Sequence, residues 1–219
     1  MRESLHEALR AWKRGIEAPW RIENELLRLV AAPTVRLRFR LHGIACGAGW
    51  RVFGMPIIQR HAGSSITIGD RFTLRSWRRS NPLAPHGPVV LATRERGAVL
   101  SIGDDCGITG GAIVAATEVR IGNGVLIGAN SVITDTDFHP LDPRSRLDPY
   151  APAKSAPVSI GDGVFIGMHS IVLKGASIGE NSVVGAGSVV SGAFPANSVI
   201  AGNPARVVRR LDERDGVAR

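Results

Sequence analysis

Residues 160–195 read IGDGVF, IGMHSI, VLKGAS, IGENSV, VGAGSV, VSGAFP, a six-residue unit repeated without a break. Each unit opens on an aliphatic residue, Ile160, Ile166, Val172, Ile178, Val184 and Val190, and four of the six follow it with Gly. A fixed period of six fits neither the 3.6-residue rhythm of a helix nor the alternation of an ordinary strand, and it is the signature of a solenoid. The aliphatic residue points into the coil and stacks on its equivalents about 4.8 Å above and below. The Gly after it suits a corner, where the backbone turns tightly and favours φ > 0. Three hexads make one triangular coil of 18 residues.

The same register runs upstream. Ile102, Ile108 and Val114 are spaced by six, and after one extra residue Ile121, Ile127 and Ile133 continue it. Ile68 and Leu74 start an earlier, less regular turn, and Val52 and Ile58 another before it. The expected fold is therefore an all-β solenoid over residues 50–203. Two segments, 76–98 and 134–159, break the hexads with Pro, Gly and Arg and read as loops ejected from the coil, where insertions are tolerated and function concentrates.

Residues 1–49 read as an N-terminal helical and basic unit. Leu5, Leu9, Trp12 and Ile16 fall on one helical face, and Leu26, Leu27 and Val30 on a second segment after Pro19. Val35, Leu37, Phe39 and Leu41 alternate with Arg36, Arg38, Arg40 and His42, which predicts a strand with one cationic face. This unit is expected to cap the open end of the solenoid, and its Arg face suits an anionic membrane surface carrying a lipid-linked substrate. Residues 204–219 predict a short basic C-terminal helix.

Composition narrows the function. Aromatics are 5%, as a narrow interior filled by Ile and Val requires, and Cys46 and Cys106 form no framework, reading as small core or corner residues. The N-terminal stretch is too charged for a secretory signal, and no apolar run reaches the roughly 20 residues that span a bilayer, so a cytoplasmic protein is expected. The net charge of +8 comes without a helix-turn-helix, zinc-finger or RNA-binding aromatic motif. A phosphate-bearing small molecule is the expected partner, and nucleic acid is not.

DTDFHPLDPRSR, then APVSIGDGVFIG, then AGSVV and AGNPARVV, resemble in order and spacing the hexapeptide-repeat acetyltransferases of maltose, galactosides and surface polysaccharides, over about residues 50–211. The resemblance implies a left-handed parallel β-helix, a homotrimer with sites between subunits, and acetyl-CoA as donor, with no metal required. It also implies that His139, in FHP, is the catalytic base. A hydroxyl attacks a thioester only when its proton has somewhere to go, and an imidazole accepts it at neutral pH. Asp135 and Asp137, beside it, are candidates to orient the ring, although structural roles rank above that. By position, the resemblance assigns Met168, Ala186, Ser191 and Gly192 to the pantetheine arm, and Arg206 and Arg209 to the phosphates. Met168 and Gly192 depart from galactoside-type relatives, which carry Ser and Lys there. His169 reads as a corner residue near the donor, and Thr109 with Gly110-Gly111 as a guess at the acceptor side.

The implied function is O-acetylation of a sugar hydroxyl in a surface glycan precursor. Two alternatives come from other classes: a gamma-carbonic-anhydrase-like metal enzyme, for which no His-x4-His pair exists among the hexads, and a silent scaffold, which has no use for the FHPLDP loop.

Overall fold

The computed structural model describes residues 17–148 and 151–212. The hexads wind into a three-sided prism, each side a parallel sheet. The first face stacks β1 (Arg51–Phe53), β4 (Thr73–Arg75), β7 (Gly107–Thr109), β10 (Leu126–Ile127), β13 (Phe165–Ile166), β16 (Val183–Val184) and β19 (Ser198–Gly202). The second stacks β2 (Ile57–Arg60), β5 (Val90–Thr93), β8 (Ala112–Ala115), β11 (Val132–Thr134), β14 (Ile171–Val172) and β17 (Val189–Val190). The third stacks β3 (Ser65–Ile68), β6 (Val99–Ile102), β9 (Glu118–Ile121), β12 (Val158–Ile160), β15 (Ser177–Ile178) and β18 (Ala193–Phe194). No coil buries its own core; the stack of aliphatic residues does, and all six residues that open the 160–195 hexads are at most 2% exposed.

The upstream register holds with one correction. Val52, Ile58, Ile68 and Leu74 are all buried where the period puts them. In the third coil, however, Ile113 rather than Val114 takes the inward place, in register with Leu91 and Ile133. Gly110 and Gly111 both have positive φ and turn that corner in one residue fewer than its neighbours.

The Gly that follows each aliphatic residue is also there for a different reason than expected. Gly69, Gly103 and Gly122 are not among the positive-φ residues. A Cβ on any of them would collide with the side chain of Asp104, Asn123 or Asp162 in the next coil. Those side chains accept backbone N–H bonds from the coil before: Asp70 to Asp104 at 2.8 Å, Asp104 to Asn123 at 2.9 Å, Asn123 to Asp162 at 2.7 Å. The I-G-D/N corner is a ladder, and Gly makes room for it.

Three predicted elements change. Residues 35–41 are not a strand but the end of a helix, α1 (Pro19–Leu41), which runs through Pro33. Val35 and Phe39, four apart, are 2% and 0% exposed, whereas Leu37 and Leu41, which the strand reading put on their side, are 56% and 77% exposed. The edge of Phe39 meets Trp50, and Trp50 meets Phe72, so α1 packs on the first coil. The described part of the predicted C-terminal helix is instead β20 (Ala205–Arg210), antiparallel to β19, and residues 213–219 lie outside the described residues. The excursion expected over 76–98 ends at Val89, because β5 and β6 return to the prism. The expectation of a helix at Leu5, Leu9, Trp12 and Ile16 lies outside the described residues.

Candidate active site

A groove of about 640 Å³ runs along the outside of the first face. In each hexad the aliphatic residue points in, so the residue before it points out. Strand register lines up these outward residues as Arg51, Thr73, Gly107, Leu126, Phe165, Val183, Val199 and Arg209. The column is cationic at both ends, passes through Thr73 and Gly107, and is apolar from Leu126 to Val199, with Leu126 and Phe165 about half exposed. Sequence reasoning gave Leu126, Phe165 and Val183 no role. The signal was present: the equivalent residues of the third face are polar or small, Thr67, Ser101, Arg120, Ser159, Ser177 and Ala193.

Met168 and Ala186 line this groove from the edge between the first and second faces. They sit one coil apart, and the N–H of Gly187 donates to the Met168 carbonyl at 2.8 Å. A Cβ on Gly167 would strike the backbone of Ala186, so the floor is small by necessity. Arg206 and Arg209 are exposed on β20. A register shift leaves Val208 as an extra residue, so Arg206 pairs with Ala201 and Arg209 with Val199, both outward positions. The bulge thereby puts both arginines on the outward side of the sheet, beyond the residues that line the groove. Thr109 also lines the groove, with Gly110 and Gly111 at the edge above it.

Ser191 and Gly192 are elsewhere. They follow β17 on the edge between the second and third faces, where the Gly192 carbonyl accepts from the N–H of Ser177 at 3.0 Å. They do not line the groove.

His139 belongs to that same second edge. Its loop leaves the prism after β11 and returns at β12. The root is fixed by Asp135, fully buried, whose carboxylate accepts from the backbone N–H of Ala116 (2.6 Å), Thr117 (2.7 Å) and Glu118 (2.7 Å) and from the Thr117 hydroxyl (2.8 Å). Asp137 accepts from Lys174 Nζ at 2.6 Å. Both carboxylates are thus committed to structure, as ranked, and neither holds the His139 ring. The imidazole is exposed, its backbone N–H donating to the Asp137 carbonyl at 2.7 Å. Phe138, at φ +63°, sits with the Arg94 guanidinium 5.3 Å from its ring. A second cavity of about 490 Å³ lies here, lined by Arg94, Thr117, Thr136, Phe138 and Ser155 among others.

The remaining candidates resolve into structure. His169 has φ +57° at the first edge and packs its ring 5.3 Å from that of His86. Burial raises the Cys106 thiol above its ordinary range, and its sulfur donates to the Gly122 carbonyl at 3.1 Å. Burial likewise raises Cys46. Neither offers a ready thiolate nucleophile. Among the described residues, no group of three or more His, Cys, Asp or Glu is placed to hold a metal ion.

A model of the hexapeptide repeat of succinyl-transferase matches residues 118–134 and 157–191. Galactoside O-acetyltransferase of Escherichia coli is 42% identical over 103 residues, 47% of this chain and 49% of that protein, so the chain matches about half the length of this relative. A hexapeptide-repeat acetyltransferase of Vibrio cholerae, solved with acetyl coenzyme A, aligns over 89% of this chain and 88% of its own at 25% identity and a TM-score of 0.53. An N-acyltransferase of Bacillus cereus, solved with dTDP and coenzyme A, shares the fold at 19% identity and a TM-score of 0.57, covering 77% and 85% of the two chains.

Proposed function

Because this chain is a hexapeptide-repeat protein with acetyltransferases as its named relatives, we propose that it is an acetyl-CoA-dependent O-acetyltransferase acting on a sugar hydroxyl of a glycan precursor. The observation that carries the reading is the outward column of the first face, apolar and small in its middle and ending on the arginines of β20. That pattern fits coenzyme A: amides and a thin chain over Gly and Ala, phosphates on Arg206 and Arg209. The thioester supplies an electrophilic carbonyl and a good leaving group.

His139 then acts as base. Its imidazole takes the proton of the acceptor hydroxyl as the oxygen bonds to the acetyl carbon and the carbon–sulfur bond breaks, and it returns that proton to the sulfur. Met168 brings no hydroxyl to the thioester carbonyl, so backbone N–H groups are left to polarise it. Ser191 and Gly192 enter this reading as residues on the base's side of the cleft.

The base and the groove lie on different edges of one prism, so a complete site takes two protomers. We assign the assembly as a homotrimer of left-handed β-helices. The outward column of the second face supports an oligomer, being apolar throughout: Ile57, Val90, Ala112, Val132, Ile171 and Val189. The decisive experiment mixes two inactive variants, His139→Ala and Ala186→Trp, and follows thiol release from acetyl-CoA. Subunit exchange should regain activity, since some interfaces then pair an intact His139 with an intact groove; no regain would remove the shared site.

The same reading keeps the protein in the cytoplasm and, by its helix, at an anionic bilayer. No helix among the described residues is long and apolar enough to cross a membrane. The side of α1 away from the prism carries Leu26, Val30, Leu37 and Leu41, all more than half exposed, with Arg36 and Arg40 beside them. A zinc assay on purified protein separates the carbonic-anhydrase-like alternative, which stoichiometric metal would favour.

A further inference from the structure

We propose that a cationic pocket at the start of the groove binds a phosphate or diphosphate carried by the acceptor. This deepens the acetyltransferase reading and rests on it for the word acceptor. The pocket, of about 300 Å³, is lined by Trp20, Arg21, Glu25, Arg51, Arg75 and Asn81 among others, and it shares Arg75 and Asn81 with the groove. The two cavities are therefore adjacent, with these two residues between them.

Its charge is unbalanced. Three arginines face one carboxylate, Glu25, which already accepts from Arg28 at 2.7 Å and pairs with Arg51. Arg75 is half-buried, donates to the Ser80 carbonyl at 2.7 Å and lies 4.4 Å from the Phe53 ring. Arg21 lies 5.2 Å from the ring of its neighbour Trp20 and pairs with no carboxylate among the described residues. Withdrawing a guanidinium from water beside two like charges costs free energy that an anion recovers. Burial, with Arg51 and Arg21, accordingly pulls Arg75 below its ordinary pKa while leaving it charged. Guanidinium forks match phosphate oxygens, and exposed Trp20 adds a flat apolar surface for a sugar or base.

Position sets this anion apart from the donor's. Arg51 and Arg209 stand seven strand spacings apart in the column, about 34 Å, whereas Arg51 is three spacings, about 14 Å, from Leu126 in mid-groove. An acceptor entering from this end would carry its anion one or two sugar units from the reacting hydroxyl. Nucleotide-linked and lipid-linked sugars both carry such a diphosphate.

The test is calorimetric titration of the full chain with sodium pyrophosphate and, separately, with coenzyme A. Wild type is compared with Arg75→Gln, Arg21→Gln and Arg209→Gln. Arg75→Gln and Arg21→Gln should each weaken pyrophosphate about tenfold; Arg21→Gln, at a position that does not line the groove, should spare coenzyme A, and Arg209→Gln should weaken coenzyme A and spare pyrophosphate. Should Arg75→Gln fail to fold, Arg21→Gln, at a residue that pairs with no carboxylate among the described residues, carries the comparison. Equal pyrophosphate affinity in all four proteins, or loss in Arg209→Gln alone, overturns the pocket. If coenzyme A binds none of them while the pyrophosphate pattern holds, the acetyltransferase reading falls and the anion site stands. UDP and geranyl diphosphate then name the source: the one that binds more tightly than pyrophosphate identifies a nucleotide-linked or a lipid-linked sugar, and a gain from neither overturns the acceptor assignment.

Discussion

Two segments leave the prism, and they are held in opposite ways. Residues 76–89 are tied down along their length: the Asn24 amide and the Arg79 backbone and guanidinium exchange bonds of 3.1 Å, Arg79 pairs with Glu23, and the His86 N–H donates to Asn130 at 2.8 Å. The loop from Asp135 to Pro157 is tied at its root, by the four bonds to Asp135, the Asp137–Lys174 pair and the bridge between Thr136 and Ser155. Beyond the root, Asp142 bonds Ser145 and Arg146 bonds the Pro140 and Leu141 carbonyls within the loop, while the Phe138 ring lies 5.3 Å from the Arg94 guanidinium. The first segment builds a wall of a site within the protomer. The second is a stalk that carries exposed His139 just beyond its root, where the proposed shared site has a neighbouring protomer meet it.

The sharpest break between the two is at His139, just beyond the root. His139→Ala should lower turnover by about 10²–10⁴ and leave the melting temperature unmoved, because the residue is exposed. His86→Ala, on the tied segment, should leave turnover within a few-fold. Matching losses in both would erase the distinction.

The root should answer in stability instead. Asp135→Ala leaves three backbone N–H groups without their acceptor in a buried place and should cost roughly 2–5 kcal/mol, read by denaturant unfolding. Asp135→Asn keeps an acceptor oxygen and should cost less. An unchanged unfolding midpoint for the alanine variant would mean the stalk is not anchored there.

This division also separates what the sequence made legible from what it hid. The prism was readable because each hexad states its inward residue, and burial follows that statement from Val52 to Val190. The one slip, Ile113 for Val114, sits where two consecutive glycines shorten a corner, which a count of six cannot register. Residues 35–41 misled because Val35, Leu37, Phe39 and Leu41 satisfy a two-residue period, while only the pair four apart is buried. The β20 arginines were legible by type, but the strand pairing and bulge that set their side of the sheet were not. Phe165 was legible and passed over, since the outward positions of its face are more apolar than those of the third. The Arg21–Arg51–Arg75 group was out of reach, because strand register and helix docking bring it together over long sequence distances.

A smaller effect tests the other tie at the root. Lys174→Ala removes the partner of Asp137, two residues from the proposed base His139, and should lower turnover about five- to tenfold through misplacement of that ring. Lys174→Arg should restore most of it, and the pH profile should keep its shape, as it would not if Lys174 itself exchanged protons.

The last contrast is between the tied wall and the helix that ties it. One side of α1 holds Asn24, Val35 and Phe39 against the prism, and the other leaves Val30 at 81% and Leu41 at 77% exposure. Apolar area of that kind gains about 25 cal/mol per Å² when it leaves water, and Arg36, Arg38 and Arg40 add attraction only where the surface is anionic. Wild type should therefore sediment with vesicles containing phosphatidylserine and not with purely zwitterionic ones, and salt should release it. Val30→Glu combined with Leu37→Glu should abolish sedimentation while leaving melting temperature and turnover on a soluble acceptor unchanged. If the double substitution alters the oligomeric state instead, that face is a contact between chains, and the bilayer has no part in it.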